Sequence, residues 1–459
     1  MRRTDIPAKS PKGLHLGKRR FAPTTVPTAM PGPEDGTPPR DRVCMPKPAI
    51  SSQKNTTSAR ICVLTSGHSP FDGRVYDREI NTLLMDYGDI TIIAPARAPL
   101  RQPARGLKVI TFDPRRTHKL VHRVRPLAAL LRLALQQRAD LYHCHEPDSL
   151  LVGLLCRWMR GGRVLYDAHE YHPEQFAARA PRPLRGALQR VVTCVERWLS
   201  RRADAAVTVN ADLVARYASW GTRAFLVPNY PVTSEWPLRR RPSRHRKHLV
   251  GIFVGGLTTR GGLCQLIEGL GRLRASHPHL RLRLVGPAEG SARELLTACA
   301  ERHGVADRVE ITGPVPYDEV PSILADGDFG LVIDCFYERG QNSVATKTFE
   351  YMAAGLPILA DNLTAAHRLV QRYAIGVSVD PLDPDSITAG LRRLVDDDDA
   401  RAQMGRRGRQ AFVGKYNWET AARELRAAYE VALWGPACRA HGSQVDADDD
   451  PGHSPRYTE

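Results

Sequence analysis

The feature that most constrains this chain is an alternation of short apolar runs with longer amphipathic stretches. The runs predict strands, and the stretches between them repeat apolar residues at three- and four-residue spacing, which predicts helices, as in 75–87 and 184–201. Strand, helix, strand order requires right-handed crossovers and a parallel sheet. The strands predicted for the first part of the chain are 60–66, 89–95, 141–145, 164–168, 205–209 and 224–227.

The alternation pauses at residues 237–248, a basic, proline-containing stretch that has nothing to bury and therefore predicts a linker. It resumes with predicted strands at 249–254, 282–285, 309–311, 329–333, 357–360 and 376–379, and the last helix is predicted at 419–433. We expect a tandem of two Rossmann-like, doubly wound α/β domains, 59–236 and 249–415, with a closing helix at 416–436. Ligands of such sheets bind beyond the carboxyl ends of the strands, so a central cleft between the domains is the expected site.

Composition separates this folded region from two polar ends. Residues 1–58 are rich in Pro, Ser, Thr, Lys and Arg and predict a disordered basic extension, or a start codon placed too early. Residues 437–459 predict a disordered tail. The net charge of +17, from 66 basic and 49 acidic residues, indicates polyanionic partners, and nucleic acid, an anionic membrane surface and phosphate-bearing ligands all fit.

Cellular location is predicted from what the chain contains. The nine cysteines form no Cys-x-x-Cys pair, no apolar run approaches the ~20 residues that span a bilayer, and the N-terminus has no apolar signal core. We expect a cytoplasmic protein, with a peripheral position at the inner membrane face as an extension of that expectation. The basic and apolar segment 117–138 suits an anionic bilayer, but it equally suits a core-facing helix with a solvated basic face.

Two loops after predicted strands offer backbone N–H groups to an anion. In the first, Gly67 and His68 follow a strand, and Asp72 and Arg74 lie in the same loop; a plain strand-to-helix turn is the alternative. The second, GGLTTRGG at 255–262, has four glycines and a cation and suits a diphosphate. It has neither the lysine-serine ending of a P-loop nor the full spacing of a dinucleotide fingerprint.

The most specific motif is NSVATKTFEYMAAGLP at residues 342–357. A loop passes into a short helix on which Lys347 and Glu350 share a face. A carboxylate there can accept both hydroxyls of a ribose, and the lysine can meet phosphate oxygens. An ordinary surface ion pair is the alternative.

This motif resembles the donor-binding segment of the retaining family 4 glycosyltransferases, particularly bacterial members that build surface polysaccharides. The stretches HSPFDGRVYDREINTL, DLYHCHEPDSLLVGLL and VLYDAHEYHPEQ are similar to the same family's N-terminal domain, so the resemblance covers residues 60–434. It implies the two-domain GT-B fold and transfer of a sugar, with retention, from a nucleotide-diphosphate sugar to a glycan, a glycolipid or another hydroxyl acceptor. It also implies no cofactor and no required divalent metal.

The resemblance implies roles for individual residues. Glu350 would bind the ribose, Lys347 and Arg260 would neutralise the diphosphate, and His169 would lie beside the transferred sugar. The other donor-site residues would be Gly255, Gly256, Asn342 and Ser343. The acceptor or cleft residues would be Gly67, His68, Asp72, Arg74, His145 and Glu170. Of His143 and His145, on one strand, at most one should face the cleft, because side chains alternate in direction along a strand.

Two departures from the family pattern leave the donor open. Asn342 stands where the family has the first of two glutamates, which usually contacts the transferred sugar, and Gly256 stands where many members have an arginine. A sugar-nucleotide epimerase on the same scaffold and a non-catalytic nucleotide-sugar-binding protein remain alternatives. A nucleic-acid-binding protein is disfavoured, because the basic residues are not interleaved with aromatic ones.

Overall fold

The structure, a computed structural model, describes residues 57–96, 102–113, 121–237, 248–258, 261–333 and 344–435. Residues 238–247 of the expected linker, and all but a few residues of the expected disordered ends, lie outside these ranges. The described residues form two parallel sheets with helices on both faces, as the alternation predicts.

The first sheet has seven parallel strands in the order β3-β2-β1-β4-β5-β6-β7. They are β1 Thr57–Leu64, β2 Tyr87–Pro95, β3 Leu107–Phe112, β4 Leu141–Cys144, β5 Arg163–Ala168, β6 Ala205–Thr208 and β7 Ala224–Leu226. Six of them were predicted. The seventh, β3, is an edge strand whose exposed Lys108 and Thr111 interrupt the apolar run that would have marked it.

Helices of the first half are α1 Asn81–Leu83, α2 Val121–Leu135, α3 Pro147–Arg160, α4 His172–Ala178, α5 Arg185–Ser200 and α6 Ala211–Ser219. A π-helical segment, Val75–Ile80, runs directly into α1. The helix predicted over 75–87 is therefore too long. It ends early because Tyr87 already pairs with β1 as the first residue of β2.

The second sheet has six parallel strands in the order β10-β9-β8-β11-β12-β13. They are β8 Leu249–Val254, β9 Leu280–Val285, β10 Val309–Thr312, β11 Phe329–Val332, β12 Ile358–Asp361 and β13 Gly376–Val379. The helices are α7 Leu263–Arg272, α8 Ala292–Arg302, α9 Val320–Ala325, α10 Thr346–Ala354, α11 Ala366–Tyr373, α12 Pro384–Val395, α13 Asp398–Gly414 and α14 Trp418–Trp434.

The last helix, α14, packs on the first half of the molecule. Trp418 donates its indole N–H to Thr82 Oγ1 at 2.8 Å, and the Tyr429 hydroxyl lies 2.9 Å from His143 Nδ1. Arg426 donates to Asp86 at 2.6 Å. The chain therefore crosses back after the second sheet and covers β5, β6 and β7 of the first.

The segment that suggested a membrane contact is only partly described. In α2, Leu130 and Ala134 are fully buried, and Leu127 and Leu131 pack against the same core. The apolar side of this helix thus faces the sheet, as in the core-facing alternative. None of the helices in the described ranges is long and apolar enough to cross a membrane.

Candidate active site

A cleft lies where the carboxyl ends of the first sheet meet the start of α10. Its cavity volume is about 150 Å³. His169, Asn229 and Tyr230 line it from the first half, and Thr346 and Phe349 line it from the second. The cleft is therefore at the place expected for a ligand of two doubly wound sheets.

His169, which follows β5, lies on the cleft and has a polar neighbour near each of its two ring nitrogens. Its Nδ1 is 3.4 Å from Asp167 Oδ2, and its Nε2 is 2.9 Å from His68 Nε2. Burial lowers the pKa of His68, but the hydrogen bond to Asp72 and the charge of Glu146 outweigh burial and raise it. The two Nε2 atoms share one hydrogen, and which ring donates depends on the tautomers.

The loop that carries Gly67 and His68 is fixed by Glu146, which follows β4. Glu146 Oε1 accepts from Thr65 Oγ1 at 2.6 Å and from the Gly67 N–H at 3.0 Å, and Oε2 accepts from the Ser66 N–H at 2.9 Å. A Cβ on Gly67 would sit 3.0 Å from Oε1. The absence of a side chain at Gly67 thus makes room for the Glu146 carboxylate. Sequence reasoning missed Glu146, although an acid between a strand end and a helix start was a usable signal.

Arg74 lies beneath the cleft, in a buried ion pair. It donates to both oxygens of Asp167, at 2.8 and 3.0 Å, to the Val227 carbonyl at 3.0 Å and to Asn229 Oδ1 at 2.6 Å. Burial opposes the charge of Asp167, but Arg74 and neighbouring histidines hold the pKa of Asp167 well below its usual range. The expectation that Arg74 lines the cleft is corrected, because its four hydrogen bonds draw it into the interior.

His143 and His145 are also buried, and they point to the same side. Residues two apart on a strand share a face, so the alternation argument that was to separate these two side chains was wrong. Neither ring is among the residues that line the cavity. The two rings are 4.5 Å apart, and His145 Nδ1 is 3.0 Å from Asp167 Oδ2. Burial lowers the pKa of both. His145, expected in the cleft, thus lies one layer below it.

These two histidines, Glu79 and Asp167 form a group of donors of the kind that binds transition metals, with ligand atoms within 4.8 Å of one another. Arg74 Nε lies 3.0 Å from Glu79 and 2.8 Å from Asp167. Because this guanidinium already balances carboxylate charge, a cation entering the group would meet a like charge. The Arg74 charge therefore disfavours a further cation in this group, and both Glu79 oxygens and both His145 nitrogens are buried there without a hydrogen-bond partner among the described residues.

The second half brings Gly255 and Lys347 together across the ends of β8 and α10. Gly255 has φ +144°, and a Cβ on it would lie 2.9 Å from Lys347 Nζ. The ammonium also lies 4.0 Å from the centre of the Phe253 ring. Gly256 is exposed, and Glu170 is exposed beside His169. Arg260, Asn342 and Ser343 lie outside the described residues.

Glu350 is only 6% exposed, so the surface ion pair considered for it with Lys347 is excluded. Burial raises the pKa of Glu350, although Arg78 and a hydrogen bond with Tyr317 oppose that rise. Arg78, from the first half, donates to the Tyr317 hydroxyl at 3.1 Å and to the Tyr230 carbonyl at 2.9 Å. Sequence reasoning missed both Arg78 and Tyr317, because their meeting depends on how the two halves pack.

Two family profiles match this chain, one on each half of the fold. The profile described as "Glycosyl transferases group 1" matches residues 235–411, and that described as "Glycosyl transferase 4-like domain" matches residues 85–229. Together the two matches span more than two thirds of the chain.

Two individual relatives are similar to parts of this chain. The chain is 28% identical to the glycogen synthase of Mycobacterium tuberculosis over 255 residues, which are 54% of this chain and 59% of that protein. It is 31% identical over 178 residues to a GDP-mannose-dependent alpha-(1-6)-phosphatidylinositol monomannoside mannosyltransferase of the same organism, covering 38% and 45%. The chain thus spans about three fifths or less of either relative.

A similar solved structure is that of HepE from Anabaena in complex with UDP and glucose. It superposes with a TM-score of 0.60 at 16% identity, over 81% of this chain and 99% of that one. A likeness at this identity shows the fold. With two parallel-sheet halves and a family match on each, the chain belongs to the group 1 glycosyltransferases and has their GT-B fold.

Proposed function

We propose that this protein moves a sugar from a nucleotide-diphosphate sugar to a hydroxyl of a glycan or lipid-linked acceptor, with retention of anomeric configuration, in the synthesis of a surface polysaccharide or another glycoconjugate. The observation that carries the proposal is the cleft, on which His169 from one half faces the start of α10 from the other. Two substrates held on opposite walls can react there without meeting bulk water.

The second half would hold the donor. Lys347 is a cation at the end of β8, and the adjacent loop leads into α7, whose first N–H groups have no partner within the helix. A diphosphate placed there would be neutralised as it leaves, which is where the transition state needs positive charge. Support for a nucleotide donor comes from HepE, whose structure contains UDP, and from the mannosyltransferase relative, whose name specifies GDP-mannose.

Glu350 would bind the ribose. In this structure its carboxyl group is engaged by Tyr317 beside Arg78, so ribose hydroxyls would have to replace the Tyr317 hydrogen bond. The exchange substitutes one hydroxyl partner for another and keeps the buried carboxylate hydrogen-bonded.

The first half would supply the acceptor side. His169 Nε2 is hydrogen-bonded to His68 Nε2, and Asp167 lies beside its Nδ1, so both contacts orient the ring at the cleft surface. With the leaving diphosphate and the acceptor hydroxyl on the same face of the sugar, transfer with retention needs no protein nucleophile. His169 would then contact the sugar during transfer.

Thermal unfolding against UDP, GDP, ADP and CMP, with and without EDTA, tests the donor class. A nucleotide at about 100 times its dissociation constant stabilises the folded state by roughly 2.7 kcal/mol. We expect one nucleoside diphosphate to raise the melting temperature and EDTA to leave that rise unchanged. If no nucleotide shifts the transition, the proposed donor site is wrong.

Stereochemistry is tested once the donor is known. Proton NMR of the first product formed from the cognate nucleotide sugar and a hydroxyl acceptor should show the anomeric configuration of the donor. An inverted product would contradict retention, and conversion of the donor with no acceptor present would favour an epimerase.

A further inference from the structure

One surface of the first half exposes large apolar side chains that the fold does not use. Helix α5 buries Glu196, Leu199 and Ser200. On its outer side it exposes Val191, Val195 and Trp198, which are four and three residues apart and so form one stripe. Leu184, two turns further back, is exposed in line with them. We call this stripe and its flanking arginines the α5 face.

The stripe is surrounded by positive charge. Residues 176–202 contain the seven exposed arginines Arg179, Arg182, Arg185, Arg190, Arg197, Arg201 and Arg202. The only acidic residue in this segment is Glu196, which is buried and accepts hydrogen bonds from Tyr166 and Tyr217. No acidic side chain of the segment therefore offsets the arginines at the surface.

Neighbouring elements extend the same chemistry. At the end of α3, Trp158 is 83% exposed, and Arg157 beside it donates to the Arg202 carbonyl at 2.7 Å, which ties that end to α5. The Arg202 guanidinium lies 3.7 Å from the centre of the Trp198 ring. Phe176 is exposed on α4, which packs against α5. Exposed tryptophans and arginines thus occur together along the face.

We propose that the α5 face docks the protein on an anionic bilayer surface. Arginines would meet lipid phosphates, while the apolar stripe and the tryptophans would enter the interface between headgroups and acyl chains, where tryptophan is favoured. This arrangement gives a function both to the arginines and to the apolar stripe. A negatively charged partner in water would contact the arginines but would leave the apolar stripe without a function.

Two other occupants fit the face less well. A second copy packed by two-fold symmetry would place seven arginines against seven arginines, with no surface acid of the segment to pair with them. A nucleic acid would use the arginines but would leave Leu184, Val191 and Val195 without a function, since bases stack on aromatic rings and not on aliphatic side chains.

The α5 face follows the cleft residue His169 closely along the chain. Helix α4 begins only three residues after His169 and leads directly into the α5 face. Under the proposed function, a lipid-linked acceptor would then reach the cleft from the bilayer on the side that carries His169. The docking itself does not depend on the transferase proposal, because it is measured without donor or acceptor.

Vesicle flotation of the full chain tests the proposal. We expect at least about tenfold more binding to phosphatidylcholine vesicles containing about 30 mol % phosphatidylglycerol than to phosphatidylcholine alone, and weaker binding at high salt. Val191→Asp with Val195→Asp should reduce binding about tenfold or more, and Arg190→Glu with Arg197→Glu should do the same.

Matched controls lie on other helices. Leu295 on α8 and Val413 on α13 are 48% and 53% exposed, against 59% and 51% for Val191 and Val195. Leu295→Asp with Val413→Asp, and Arg392→Glu with Arg393→Glu on α12, should leave vesicle binding unchanged. The melting temperature of each variant, and its shift with the nucleotide found above, report folding and donor binding separately from docking.

Three results would overturn the proposal. Equal recovery with neutral and anionic vesicles would remove the electrostatic part. Valine variants that float like the unaltered chain would place the contact elsewhere. A dimer in sedimentation that the valine variants abolish, or binding of single-stranded RNA with no vesicle binding, would assign the α5 face to a second copy or to nucleic acid instead.

Discussion

Single residues beneath the cleft decide how its chemistry is held. Asp167 lies 3.4 Å from His169 Nδ1, and it is itself fixed by two hydrogen bonds from Arg74. Arg74 also reaches the Val227 carbonyl and Asn229, so one guanidinium links the loop after β1 with the ends of β5 and β7. The orientation of His169 thus depends on residues that are buried beneath the cleft surface.

Replacing His169 by alanine should slow sugar transfer by about 100-fold or more, because under the proposed function this ring contacts the sugar. Nucleotide binding should stay nearly intact, since the donor would be held by the second half. Turnover with the cognate donor and the melting-temperature shift with its nucleotide separate the two effects. Transfer at a near-normal rate would show that His169 has another function.

Replacing Asp167 by asparagine should lower the free energy of unfolding by about 3–5 kcal/mol, because Arg74 would lose its two hydrogen bonds to the Asp167 carboxylate and keep only Glu79, among the described residues, as a carboxylate partner. Urea unfolding measures this loss. The double variant Asp167→Leu with Arg74→Met should recover a part of it, since the unbalanced guanidinium is removed. The recovery should be incomplete, because Glu79 then stays buried without Arg74. A single-variant loss below about 1 kcal/mol would contradict a tightly coupled buried pair.

His172, at the start of α4, makes stability depend on pH. Burial and the nearby His169 lower its pKa from 6.5 to about 4, so the folded state holds it neutral while the unfolded state protonates it below about pH 6.5. Its contribution is complete above pH 6.5 and is lost as the pH falls toward 4. Urea unfolding between pH 7 and 5 should show a slope that is smaller by about one proton in His172→Asn. An unchanged slope would contradict the lowered pKa.

At the scale of elements, the turn after β8 is shaped by its contact with α10. Gly255 has a φ that other residues rarely adopt, and the space where a Cβ would lie is taken by the Lys347 ammonium. Glycine is therefore favoured at this position by its backbone conformation, and a Cβ would also displace the end of the Lys347 side chain. The neighbouring Gly256 has open space around it.

Gly255→Ala should lower the free energy of unfolding by about 1–3 kcal/mol, whereas Gly256→Ala should change it by about 0.5 kcal/mol or less. The alanine at 255 would also move Lys347, so the melting-temperature shift caused by the nucleoside diphosphate should shrink. Differential scanning calorimetry of both variants, with and without nucleotide, gives the comparison. Equal losses in the two variants would mean that backbone strain and the Lys347 contact do not matter.

At the scale of the whole molecule, two of the connections between the halves involve the expected ribose site and the last helix. One is the path from Arg78 through Tyr317 to Glu350, which runs from the first half into the expected ribose site. The other is α14, which leaves the second sheet and buries Leu425 and Tyr429 against the first. Under the proposed function, donor binding and domain packing would therefore share residues.

A chain that ends after Gly414 should not yield a soluble first half, because the strands β5 to β7 would lose the cover of α14. Each large apolar side chain returned to water costs roughly 1.5–3 kcal/mol, and α14 buries several. A chain that ends after Gly435 keeps the helix and should unfold at nearly the full-length temperature. Soluble yield and thermal unfolding of the two truncations decide the matter, and a stable shorter chain would contradict the role given to α14.

Much of this protein follows from local pattern in the sequence. Alternating apolar runs predicted two parallel sheets, since a run such as 141–145 suits a strand buried on both faces and its flanks suit helices. The motif around Lys347 and Glu350 indicated the family, and the resemblance to that family implied that His169 lies at the cleft. The edge strand β3 escaped because its polar residues break the pattern.

Only the tertiary structure decided what each polar residue meets. Arg74 and His145 read as cleft residues, yet the strands bring partners from residues 79, 167 and 229 to them and bury them. A surface ion pair was one of two alternatives for Glu350, and the burial of Glu350 beside Tyr317 and Arg78 excludes it. Periodicity records which face of an element is apolar, because burial acts on each element locally. Pairing between distant charges depends on how elements pack, and no local pattern carries that information.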